Sequence, residues 1–154
     1  MEESLMNSLD SGSAMERLEI LEGIWDIEIV FPHPGTEKIH GETAFEWMKG
    51  GHFLIQKTKL KDPGAPESLI IIGFDADIAL FKMHYFDSRG IDRLYNMTLD
   101  KNVWKQWRNN PGFHQRFKGE FNDTLDLIEG VWEKSADKDN WEHDFLLTFR
   151  KTSD

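Results

Sequence analysis

The chain reads as an all-β protein. Ten antiparallel strands close into an up-and-down barrel, with one short helix at the N-terminal end. Three observations predict it. Apolar residues alternate with a period of two from residue 24 onward. Short turn-forming clusters interrupt that alternation again and again. Only one stretch, near the start, has helical spacing. Short links force antiparallel neighbours, because parallel strands need a crossover of a dozen or more residues. An open sheet of so many strands would expose two edges, which closure removes. A β-sandwich is the alternative, but its Greek-key links need longer loops.

The helix is expected from Ser13. Glu16 stands three residues on, a capping-box spacing. Met15, Leu18 and Leu21 follow at helical intervals, and Gly23 sits where a C-terminal cap belongs. The first strand, from Ile24, puts Trp25, Ile27, Ile29 and Phe31 on one face and Asp26 and Glu28 on the other. Pro32–Gly35 is a turn. The next strand alternates through Ile39, Thr43, Phe45 and Trp47, and Gly50-Gly51 closes a hairpin. Strands follow over 53–61 and 68–74, split by the Asp62–Pro66 loop, and then over 78–86 after Asp75-Ala76-Asp77. Asp87–Gly90 leads to a strand over 91–99, and Asp100–Asn102 to one over 103–109. Asn110–Gly112 leads to 113–121, with Phe113, Phe117 and Phe121 in phase. Asn122-Asp123 leads to 125–133. Ala136–Asn140 leads to 141–151, with Trp141, His143, Phe145, Leu147 and Phe149 in phase.

The chain has 154 residues, enough for one domain with a real core. Residues 1–12 read as an acidic leader and 13–154 as a single barrel domain. With no cysteine, disulfides, thiolate metal sites and a cysteine nucleophile are excluded. The net charge of −10 argues against nucleic acid and against an anionic membrane surface. No run approaches the ~18 apolar residues of a membrane span. The N-terminal stretch lacks a basic n-region, so a cytoplasmic protein is expected. A homodimer is compatible with the sequence.

Leu21-Glu22-Gly23-Ile24-Trp25 places a Gly-x-Trp element at the start of the first strand. With Glu46–Leu54, Ile72-Gly73-Phe74-Asp75, and Lys134–Asp137 followed by Trp141, it resembles the calycin barrels. The likeness is greatest to a mostly bacterial family of lipocalin-like domains. More distantly the chain resembles nitrobindin-like and fatty-acid-binding barrels. The resemblance implies that Trp25 closes one barrel end under a stacked cation, with Arg150 at the matching position. The nitrobindin likeness would imply haem held by a histidine near the C-terminus, and His143 stands there. The family's closing segment aligns better with Asp144 at that position, and no cofactor is expected.

The aromatic excess, 11 Phe, 6 Trp and 2 Tyr, reads first as the core of one closed sheet and secondarily as a wall around a small apolar or amphipathic ligand. The expected wall is Phe45, Trp47, Phe81, Tyr95, Trp107, Phe117 and Phe145. Arg93 and His143 would meet a polar or anionic head group, because a buried cation without a partner is costly. Binding without catalysis is the preferred reading. The alternatives are an isomerase or hydrolase using His143, a haem protein, and an interaction module whose exposed contacts are Trp104 and Trp132. No nucleophile or phosphate-loop motif is present. The histidines show no metal-ligand spacing, and Asp137–Asn140 departs from a calcium loop at its sixth and twelfth positions.

Overall fold

In the computed structural model, which describes residues 11–153, ten strands form one closed antiparallel barrel. They are β1 (Gly23–Val30), β2 (Ile39–Trp47), β3 (Leu54–Leu60), β4 (Ser68–Asp75), β5 (Leu80–Asp87), β6 (Asp92–Asp100), β7 (Val103–Arg108), β8 (His114–Phe121), β9 (Leu127–Ser135) and β10 (Glu142–Ser153). Each strand pairs with its sequence neighbours, and β10 closes the ring on β1. The expected strands are all present, with ends shifted by two residues or fewer. Among the described residues no helix is long and apolar enough to cross a membrane.

The helical segment begins earlier than the spacing predicts. Helix α1 spans Ser11–Glu16 and continues as a 3-10 helix over Arg17–Leu21. Ser13 therefore lies inside α1 rather than capping it. Gly23, at φ 125°, opens β1 instead of ending the helix. Residues 1–10 of the expected leader lie outside the described residues, and the leader's last two positions already belong to α1.

The helical segment plugs one end of the barrel. Ala14, Met15, Leu18 and Leu21 are fully buried there with Leu54, Ile72, Phe81, Met97 and Leu99. Burying a side chain of this size contributes about 1.5–3 kcal/mol against leaving it in water. Trp25 fastens the plug, its Nε1 donating to the Leu21 carbonyl at 2.8 Å. The cation over its ring is Lys151, at 5.5 Å, and not Arg150. Arg150 pairs with Asp26 and Leu127 on the outward side of β10, and only the next residue reaches the barrel end.

From the plug upward the interior is one chain of touching rings. Trp25 meets Phe149 at 6.3 Å, Phe149 meets Trp104 at 5.5 Å, and Trp104 meets Phe117 at 5.5 Å. Phe117 meets Trp132 at 5.2 Å, and Trp132 meets Tyr95 at 5.8 Å and Phe145 at 6.3 Å. Edge-on and tilted contacts of this kind add to the stabilisation from burial.

Candidate functional site

The upper half of the barrel is hollow. Its cavity has a volume of about 460 Å³, within the usual range for small-molecule sites. The wall is mainly apolar, with Ile27, Ile70, Met83, Leu147 and Phe149 prominent. Alternation along the strands puts these residues inward, as in β1, where Ile27 faces in between Asp26 and Glu28.

Of the expected wall residues, Arg93, Tyr95 and Phe145 line the cavity. Phe45, Phe81 and Phe117 are buried inside the barrel but belong to the packed core. Trp47 is half-buried against that core, near the plugged end. Trp107 does not face inward. In β7 the buried residues are Trp104 and Gln106, so Trp107 lies on the outer surface opposite Arg116. Trp104 and Trp132, expected as surface contacts, are inside: Trp104 is fully buried and both line the cavity. Trp141 is half-buried on the outside of the barrel, with the Arg116 guanidinium stacked 3.9 Å from its ring.

His143 is also outside. A β-bulge between His143 and Phe145 inserts Asp144 as an extra residue, which reverses the facing of everything before it. The His143 side chain is 61% exposed, with Nε2 4.0 Å from Glu133. An imidazole there can be neither a base in the cavity nor an axial ligand to a group inside it. Asp144 takes the rim position instead and lines the cavity. Among the described residues no cluster of His, Cys, Asp or Glu could hold a metal ion.

Two arginines reach the cavity, and they differ in one respect. Arg89 is neutralised by Asp87, with Nη2 2.7 Å and Nε 3.2 Å from Oδ2. Tyr85 donates its hydroxyl to the same oxygen at 2.7 Å, and the amides of Arg89 and Ile91 point at Oδ1. The Arg89 guanidinium, aided by Tyr85 and these amides, holds the Asp87 carboxyl well below the usual range. Burial, followed by the bond to Asp87, pushes the Tyr85 phenol up to about 12. Arg89 itself is raised by Asp87.

Arg93 has no such partner. Its guanidinium lies 5.5 Å from the Phe113 ring, and Nη1 is 3.4 Å from Gln115 Oε1. It belongs to no ion pair among the described residues. Gln115 Oε1 is held in place by the Tyr95 hydroxyl at 2.8 Å. Arg93 therefore presents a positioned cation with unused donors at the edge of an apolar cavity.

Sequence reasoning missed Trp104, Trp132, Gln56 and Gln106 as cavity residues. A signal for Trp104 was available, since a two-residue turn after Asp100 pairs Leu99 with Trp104. No protein-family model and no curated protein sequence matches the chain. Among solved structures, the barrel is similar to the crystal structure of Rv2717c from M. tuberculosis. The TM-score is 0.61 at 12% identity, covering 93% of this chain and 99% of that one. The likeness is one of fold.

Proposed function

We propose that this chain is a lipocalin-like barrel of the calycin type that binds a small amphipathic organic anion without catalysing its conversion. The observation that carries the reading is Arg93, an arginine at an apolar cavity with no carboxylate paired to it. A half-buried guanidinium is stabilised by an anion brought from outside, and a carboxylate matches its planar fork. The apolar body of the ligand would lie against Ile27, Ile70, Met83 and Leu147. The Gly23–Trp25 opening and the Gly50-Gly51 hairpin, which resemble lipocalin-like barrels, support the same reading.

Native mass spectrometry of protein purified without organic extraction tests it. The expected result is one organic anion per chain, or a one-to-one complex when decanoate is added. Folded protein that carries no ligand and forms no such complex would refute the reading.

A further inference from the structure

We infer that the ligand carries a second polar group, a hydroxyl, which docks deep in the cavity on Trp104 and Gln56. The inference rests on the proposed binding of an amphipathic anion and specifies the other end of that molecule. Among the described residues, two buried side-chain atoms have no hydrogen-bond partner: Trp104 Nε1, a donor, and Gln56 Oε1, an acceptor. Trp104 is fully buried and Gln56 is 6% exposed, yet both line the cavity. Folded proteins leave few such atoms unpaired, and those they do leave call for an explanation.

The two residues belong to one neighbourhood. Gln56 pairs across the sheet with Phe45, and the Phe45 ring is 6.1 Å from that of Trp104. The surrounding surface is aromatic, formed by Phe45, Phe117 and Phe149. A donor and an acceptor lining one cavity select the group that satisfies both. A hydroxyl accepts from the indole N–H and donates to the amide oxygen. A carboxylate has no proton for Gln56, and an alkyl end satisfies neither atom. The Thr43 hydroxyl sets the direction of the Gln56 amide. Thr43 Oγ1 donates to the Lys57 carbonyl at 3.3 Å and accepts from Gln56 Nε2 at 3.1 Å, which leaves Oε1 as the atom without a partner.

The two anchors lie at opposite ends of β6. Leu99 pairs with Trp104, and Arg93 lies six positions earlier on the same strand, about 20 Å by strand rise. The expected ligand class is therefore a chain or ring system with a carboxylate at one end and a hydroxyl at the other.

Calorimetric titration with C8, C10 and C12 alkanoates, each beside its ω-hydroxy counterpart, tests this. Wild-type protein should prefer the hydroxy acid at one or more lengths, by about threefold to tenfold. Trp104→Phe keeps a ring in place and should lose that preference, so that each hydroxy acid binds no better than its plain alkanoate. Gln56→Met makes the same comparison if the tryptophan variant fails to fold. A wild-type preference for the plain alkanoate at every length overturns the inference, since cavity water then serves the two atoms better. So does a hydroxyl preference that survives in the folded variants. Binding of neither series overturns the anion-binding reading and this inference together.

Discussion

The ring of Phe117 fills the space that Gly130 leaves by having no side chain. A Cβ on Gly130 would collide with Cε1 and Cζ of that ring, and one on Gly119 would meet Cε2 and Cζ at 2.9 Å. Gly119 and Gly130 face each other across β8 and β9. Phe117 thus lies over a glycine pair, which lets it support Trp104 on one side and Trp132 on the other.

Gly130→Ala should therefore push the ring off its seat. We expect a loss of about 1–3 kcal/mol, the usual range for overpacking a filled interior. Urea denaturation measures it. The double variant Gly130→Ala/Phe117→Leu should be more stable than the sum of the single changes predicts, because the smaller side chain vacates the disputed space. Strict additivity would show that the ring does not occupy that site.

The Tyr85–Asp87–Arg89 group predicts a pH window. Asp87 has its folded pKa lowered, so its contribution is complete above about pH 4 and is lost as pH falls through the folded value. Asp126, held low by Asn122, and Asp137, held low by Asn140, act in the same direction. Tyr85 has its folded pKa raised, so its contribution is complete below about pH 10 and disappears as pH rises toward 12. Denaturation midpoints should be flat between those limits and fall outside them. Tyr85→Phe should flatten the alkaline side, and Asp87→Asn should reduce the acid side without abolishing it. The chain has two tyrosines, so Tyr95→Phe leaves Tyr85 as the one reporter. Its tyrosinate absorbance should develop near pH 12, and a midpoint near 10 would contradict the burial of the phenol and its bond to Asp87.

His143→Ala should change neither ligand affinity nor fold stability by more than about 0.5 kcal/mol, as for most exposed substitutions. Its nearest charged partner is Glu133, on the outer surface beside Arg116. A tenfold loss of binding in that variant would place the imidazole in the cavity and contradict the bulge at Asp144.

The order of strands was legible in the sequence because two-residue alternation and short turns are local signals. Which face of a strand points inward is a relation between strands, and there the reading failed in two ways. In β7, Val-Trp-Lys-Gln-Trp-Arg offers a tryptophan to each side, so composition does not decide. The deciding signal is the turn before it: Lys101 and Asn102 both have positive φ, 51° and 62°, as in a two-residue hairpin. That turn sets Asp100 opposite Val103 and Leu99 opposite Trp104. In β10 the alternation from Trp141 to Phe149 is unbroken in sequence, and the bulge that expels His143 leaves no mark on it. Arg93 and Tyr95 line the cavity because β6 is regular from the rim to Leu99.

The proposed binding of an organic anion through Arg93 is tested most directly by titrating decanoate and decanol into wild-type protein and Arg93→Met. The methionine keeps most of the side chain's length and removes its charge, so packing changes little. The predicted result is saturable one-to-one binding of decanoate to wild type, weakened about tenfold or more in the variant, with decanol affected less than threefold. Equal decanoate affinity in the two proteins, or no saturable binding to folded wild type, would contradict it.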